Sequence, residues 1–255
     1  MNILGIIPAR FASTRLEGKP LKDICGKTMI QRVYEQASQA LEHVYIATDD
    51  ARIESVVKSF GGKVVMTSSE HTTGTNRCVE AYNIIQNKLG IEFDAVLNIQ
   101  GDEPLLEPEI LKDLADCFND PSTEMATLIR PVHEKKELLS TSDIWVVIDK
   151  NNYALYFSRE VIPHVRGAHK DDWIEHHDYY KHIGMYGFTP NAIKSFASME
   201  QTSLEEAESL EQLRWLENGG KIKVAHTNHR AISVDTQEDL DEVISIIQKR
   251  GIKFD

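Results

Sequence analysis

The sequence contains no apolar run approaching the roughly 18 residues that cross a membrane. Its longest, Asp94–Ile99 and the stretch around Trp145–Ile148, are only strand-sized. Its three cysteines, Cys25, Cys78 and Cys117, are dispersed and lack Cys-x-x-Cys spacing. They read as reduced thiols and exclude both a disulfide framework and a zinc knuckle. The first residues open directly on an apolar strand, without a basic leader or a small-residue cleavage site, so a cytoplasmic location is expected. Basic residues are the minority, 28 Lys and Arg against 40 Asp and Glu, for a formal charge of −12. That balance argues against coating nucleic acid, and the chain is expected to have neither a nucleic-acid nor a membrane partner. A local cluster of cations can still dominate one pocket. Neither Gly-x-x-x-x-Gly-Lys-[Ser/Thr] nor Gly-x-Gly-x-x-Gly occurs at the first strand's end, so P-loop NTPases and dinucleotide oxidoreductases lose support. No Ser-His-Asp or Cys-His arrangement stands out.

What is present is alternation. Ile3–Ile7, Val44–Ala47, Lys63–Met66 and Ala95–Ile99 read as strands, with helical periodicity over Thr28–Ala40, Ala51–Phe60 and Asn76–Leu89 between them. Such units predict an α/β fold with a mainly parallel central sheet and ligand binding at the carboxyl ends of the strands. Pro108–Phe118 reads as a helix and Glu124–Arg130 as a strand. Beyond Pro131 the pattern loosens: a hairpin around Asn151-Asn152, a long polar loop over Arg159–His177, a strand over His182–Thr189, helical segments within Leu204–Leu216, a strand at Ile222–Ala225 and a closing helix over Thr236–Arg250. A single domain is expected, with a soft division between a nucleotide-binding half (1–130) and a half (131–255) for substrate and dimerisation.

Three segments carry chemistry. Pro8–Pro20 places Arg10, Arg15 and Lys19 in one loop directly after the first strand, with Ala12, Ser13 and Gly18 to let backbone approach a ligand. Guanidinium forks, a lysine point charge and backbone N–H groups suit a free triphosphate. Gln100-Gly101-Asp102-Glu103-Pro104 sets an acidic residue beyond a buried strand, after a glycine that permits a sharp turn. There Asp102 is the better candidate for a hard cation such as Mg²⁺. In Val234-Asp235-Thr236-Gln237-Glu238-Asp239, Asp235 is either a second metal carboxylate or, with Thr236, a cap for the last helix. The adjacent His176-His177 lacks the i, i+4 spacing of a helical zinc site.

The run Ile6-Ile7-Pro8-Ala9-Arg10…Ser13-Thr14-Arg15-Leu16…Gly18-Lys19-Pro20-Leu21 closely resembles that of 3-deoxy-manno-octulosonate (Kdo) cytidylyltransferases. The likeness continues, in order, through 47–50, 61–67, Gly74-Thr75, 100–104, 153–159, 181–184, 210–214 and Val234-Asp235-Thr236. The resemblance implies a Rossmann-like, GT-A-type nucleotidyltransferase fold with a smaller substrate and dimerisation lobe. It implies a homodimer that makes CMP-Kdo and pyrophosphate from CTP and Kdo for lipopolysaccharide. By the same resemblance Arg10, Ser13, Arg15 and Lys19 form the triphosphate cradle, and Arg77 is a nucleotide-side contact. Asp102 and Asp235 are the magnesium carboxylates, and Gln100, Arg159, His182, Tyr186, Glu211 and Gln212 lie on the sugar-acid side. The chain departs from the family's usual residues at Asn76, Trp145 and Gln237. Each departure reads first as drift or repacking; alternatively, a change at Trp145 could reshape the pocket for a related sugar such as the 8-amino analogue of Kdo. A GT-A glycosyltransferase and a non-catalytic nucleotide sensor are the more distant alternatives.

Overall fold

The structure, a computed structural model, describes residues 1–12, 15–71, 73–140, 143–230 and 232–250. It contains two compact units, one formed by 1–112 with 231–255 and the other by 113–230. This division differs from the expected halves, because the last helix returns to the first unit after the second is complete.

The first unit begins with β1 (Ile3–Ala9), the short hairpin of β2 (Asp23–Ile24) and β3 (Lys27–Thr28), and α1 (Met29–Ala40). It continues through β4 (His43–Thr48), α2 (Ala51–Ser59), β5 (Val64–Met66), α3 (Gly74–Leu89) and β6 (Ala95–Asn98). Helix α4 (Pro108–Asp116) carries the chain into the second unit. β1 pairs in parallel with β4 and β6, and β4 with β5, which gives the order β6-β1-β4-β5. These strands are apolar on both faces, as a sheet covered on both sides requires. The intervening helices start on side-chain caps: Thr28 accepts from Gln31 N, Asp50 from Arg52 N and Thr73 from Asn76 N.

The second unit holds β7 (Met125–Pro131), β8 (Trp145–Ile148), β9 (Ala154–Ser158), β10 (Tyr180–Phe188), α5 (Pro190–Ser198), α6 (Ser203–Glu208), α7 (Gln212–Glu217) and β11 (Ile222–His226). β7 lies between β11, parallel, and β10, antiparallel, and β8 joins β10 to β9. The hairpin expected around Asn151-Asn152 is present: Asp149 accepts from the backbone N–H groups of Asn151 and Tyr153, and Asn152 takes φ 61°. Finally α8 (Gln237–Arg250) packs Leu240, Val243 and Ile247 against Leu16, Ile24 and Met29 in the first unit.

Three features sharpen what the sequence suggests. Arg159–His177 is a long, mostly irregular loop, as expected, but it is not polar throughout. Lys170–Glu175 forms 3-10 turns, and Trp173 enters a buried cluster with Val132, Leu138, Trp145 and Tyr179. The loop's apolar residues, Val161, Ile162 and Val165 among them, are spaced too irregularly to read as an element, yet they pack against this cluster. Trp145 is fully buried there, which agrees with the repacking reading and not with a reshaped pocket. Helix α5, opened by Thr189 and Pro190, has no counterpart among the elements read from the sequence.

Two charge networks hold the second unit. Arg214 grips Glu205 through Nε (2.7 Å) and a terminal nitrogen, fastening α6 to α7. Glu137 pairs with Arg130 and, at 3.3 Å, with Lys181, which also meets Asp143 at 2.6 Å. Burial alone would raise the Glu137 carboxyl, but Arg130 and Lys181 outweigh it and hold the pKa at about 2. The sign follows from linkage. Stability from this carboxylate is fully present above its ordinary value of 4.5 and is lost as pH falls through about 2. We therefore expect acid denaturation profiles of the Glu137→Gln variant to be flatter than wild type between those values. Parallel profiles would show that Glu137 does not contribute.

Candidate active site

The first unit builds its site where β1, β4 and β6 end. Ala9 stands opposite Thr48 in register, and Ile6 opposite Asn98, so the following loops emerge side by side. Gly101 lets two of them meet. A Cβ added there would lie 3.0 Å from the Pro8 carbonyl oxygen and 3.3 Å from an Ile7 methyl. The turn expected from sequence is present at Gly101-Asp102; it does not need a positive φ, and what the missing side chain supplies is this close approach.

The loop after β1 is shaped by one ring. Gly18, at φ 65°, donates its N–H to the Phe11 carbonyl, and an added Cβ would press on the Phe11 ring. Over the same ring, 3.3 Å from its centroid, lies the guanidinium of Arg52, itself paired with Asp50 at 2.6 Å. Asp50 is thus a structural residue, the cap of α2 and the anchor of Arg52. Its pKa is lowered chiefly by the Arg52 hydrogen bond. No sequence signal marked Phe11 and Arg52, because a stacked pair 41 positions apart has no local period.

Lys19 is the centre. Its Nζ lies 2.8 Å from Asp102 and 3.0 Å from Asp235, and Arg15 reaches the same Asp235 oxygen at 3.1 Å. Burial opposes the ammonium charge, but the two carboxylates outweigh it and raise the Lys19 pKa above its ordinary value. Asp102 and Asp235 are further tied through backbone, Val234 N–H donating to the Asp102 carbonyl at 2.9 Å. The two readings of Asp235 are resolved by the cap. Thr236 Oγ1 accepts from Asp239 N, and Asp239 accepts from the backbone of both Asp235 and Thr236. The Asp235 side chain takes no part in this cap and turns to the cations. Arg10, Arg15, Lys19, Gln100, Asp102 and Asp235 line one cavity of about 480 Å³. Ser13 lies outside the described residues.

The remaining positions are placed as follows. Arg77 is 1% exposed, with one nitrogen on Thr67 Oγ1 and another 3.4 Å from Asp49. In the second unit, Arg159 commits Nε and a terminal nitrogen to the carbonyls of Glu208 and Ser209. His182 meets Thr127 Oγ1 at 2.9 Å and lies 5.4 Å, ring to ring, from Tyr186. The Tyr186 phenol is raised well above its usual range by burial and by nearby Glu211. Gln212, which opens α7, is buried with its amide nitrogen unpartnered. Sequence reasoning missed Thr127, since a threonine in a strand reads only as a β-former.

Asp102 and Asp235 supply hard oxygen donors converging on a single ammonium, a stand-in for a cation. Mg²⁺ commonly takes one or two carboxylates and completes its shell with phosphate oxygens and water, so this donor set fits it. Among the described residues no group of three or more His, Cys, Asp or Glu could hold a metal by itself.

A cationic loop and Asp102 at the carboxyl ends of parallel strands, met by Asp235 from the start of α8, define an α/β protein of the nucleotidyltransferase class. The family model described as Cytidylyltransferase matches residues 4–222. A 3-deoxy-manno-octulosonate cytidylyltransferase of Parabacteroides distasonis is 49% identical over 98% of this chain and 100% of its own length. That of Bacteroides thetaiotaomicron is 51% identical over the same shares. A solved structure of CMP:2-keto-3-deoxy-manno-octonic acid synthetase complexed with CTP superposes with a TM-score of 0.89 at 37% identity, over 98% of this chain and 100% of that one. The chain belongs to the 3-deoxy-manno-octulosonate cytidylyltransferase family.

Gly101→Ala forces a methyl against the Pro8 carbonyl. We expect it to cost about 1–3 kcal/mol of stability, as overpacking does, and to weaken CTP binding. Gly74→Ala, whose added carbon would meet Pro8 at an ordinary 3.5 Å, should change neither. Chemical denaturation and CTP titration of both variants check the contrast.

Proposed function

We propose that this chain transfers CMP from CTP to the anomeric hydroxyl of Kdo, releasing pyrophosphate. The observation that carries the reading is Lys19 held between Asp102 and Asp235 in a cavity also lined by Arg10 and Arg15. Its three cations suit the oxygens of a free triphosphate, and its two carboxylates a divalent cation bound along with it. In the reaction the anomeric oxygen attacks the α-phosphorus and the bond to the β-phosphate breaks opposite it. The hydroxyl proton passes to water. The protein has little covalent work to do, so positioning and charge neutralisation carry the catalysis. Arg10, Arg15 and Lys19 bind the phosphates, with Lys19 and the arginines meeting charge on the leaving pyrophosphate. Asp102 and Asp235 would hold Mg²⁺, which when bound supplies further charge neutralisation at phosphate oxygens. Arg77 keeps the nucleotide-side loops in place through Asp49 and Thr67. Gln100, Arg159, His182, Tyr186, Glu211 and Gln212 contact the sugar acid, Arg159 taking its carboxylate and Glu211 its hydroxyls.

Three free cysteines fit a reducing cytoplasm, and no helix among the described residues is long and apolar enough to cross a membrane. A cytoplasmic homodimer supplying activated Kdo for lipopolysaccharide completes the reading.

The test is pyrophosphate release from CTP and Kdo with and without Mg²⁺, beside UTP and ATP. We expect metal-dependent release with CTP and a fall of about 10²-fold or more in Asp102→Asn, the scale of losing an electrostatic stabiliser. CTP binding without release for any sugar acid would overturn the transferase reading in favour of a sensor. Undiminished turnover in Asp102→Asn would overturn the metal role.

A further inference from the structure

The pairing of β10 with β7 shifts between Ile183 and Tyr186. A bulge of this kind takes residues out of the regular ladder and leaves their polar groups in need of other partners. Opposite it on β7 is Thr127, a fully buried hydroxyl. Its Oγ1 lies 2.7 Å from the Met185 carbonyl, 3.3 Å from the Ile183 carbonyl and 2.9 Å from His182 Nε2.

A hydroxyl has one proton to give, and a carbonyl can only accept. If Thr127 gave its proton to His182, its oxygen would face the Met185 oxygen at 2.7 Å with no hydrogen between them. The proton therefore goes to Met185, and the Thr127 oxygen accepts from His182 Nε2–H. Burial pushes the His182 pKa down to about 3, so the ring is neutral and carries a single N–H. With that hydrogen on Nε2, Nδ1 is a bare acceptor. It is buried and has no partner, and such a group costs free energy until a donor meets it. His182 as a whole is only half-buried, though Nδ1 itself is closed to solvent, so a donor meets it only where it displaces what covers that atom. Phe157, edge-on at 5.0 Å, fixes the ring from another side.

We infer that Thr127 is a positioning residue: it locks His182 in the Nε2–H tautomer, so that Nδ1 receives a hydrogen bond from a hydroxyl of the sugar acid. The substrate carboxylate, which has no proton to donate, is excluded from that nitrogen. Opposite polarity is available at the buried, unpartnered amide nitrogen of Gln212, a donor suited to an oxygen acceptor. This inference rests on the sugar-acid reading given above.

The test uses the full-length protein with ¹⁵N-labelled histidine, Thr127→Val and Thr127→Ser variants, and His182→Gln to assign the ring signals. Wild type and Thr127→Ser should show a protonated Nε2 and a bare Nδ1 whose resonance moves on addition of Kdo. Thr127→Val should lose the single tautomer and raise the KM for Kdo about tenfold, the scale of one hydrogen bond. Its KM for CTP should stay within about twofold. Restoration of both properties by serine separates positioning from general damage to the strand. A wild-type Nδ1–H tautomer overturns the inference, as does an Nδ1 signal unmoved by Kdo in a protein that turns Kdo over. An unchanged Kdo KM in Thr127→Val overturns it too. No pyrophosphate release by wild type with any sugar acid overturns instead the reading beneath it and the hydroxyl contact with it, while the spectrum alone still decides the tautomer.

Discussion

Lys19 sits between two carboxylates that would otherwise repel each other at close range. Asp102 is 83 positions away in sequence and Asp235 is 216, so one ammonium gathers the loop after β1, the loop after β6 and the start of α8. Lys19 offsets that repulsion by meeting both carboxylates. The backbone bond from Val234 to Asp102 and the cap shared by Thr236 and Asp239 hold the carboxylates in place without using their oxygens. The charge at the centre and the scaffold around it are thus supplied by different groups.

That separation recurs in the rest of the first unit. Phe11, pressed between Gly18 and Arg52, gives the cationic loop its shape through an apolar ring. Asp50 caps α2 and anchors Arg52. Arg77 performs a similar structural task from inside α3, with its guanidinium divided between Thr67 and Asp49. Close contact between Pro8 and Gly101 then sets how near the loops after β1 and β6 can come.

In the second unit buried polar groups set geometry more than net stability. Buried ion pairs of the Arg214–Glu205 kind often do no better than well-packed apolar side chains, but a lone survivor of the pair is costly. They therefore fix one arrangement: α6 against α7, with Glu211 and Gln212 at the start of α7. The network of Arg130, Glu137, Lys181 and Asp143 does the same for β10, whose next residue is His182. Trp145 stands directly opposite Lys181 in the ladder and packs with Trp173 and Tyr179, which places this departure from the family pattern in the core.

The parallel strand and helix succession was legible in the sequence, because each strand is a short apolar run and each helix keeps its period between caps. So were the cationic loop and the two acidic segments, whose residue types lie within a few positions of one another. The likeness to the family made the distant residues Arg159, His182, Tyr186, Glu211 and Gln212 nameable, though not their surroundings. Only the tertiary structure decided that Asp235 serves the cations while Thr236 caps α8, since both readings have the same local sequence. Only it showed α8 returning to the first unit, Phe11 under Arg52, Trp173 in a core and Thr127 against His182. The physical reason is common to all four. Local order is set by periodicity and capping within a turn or two of the chain, whereas these contacts join residues whose distance in sequence carries no signal until the sheet is formed.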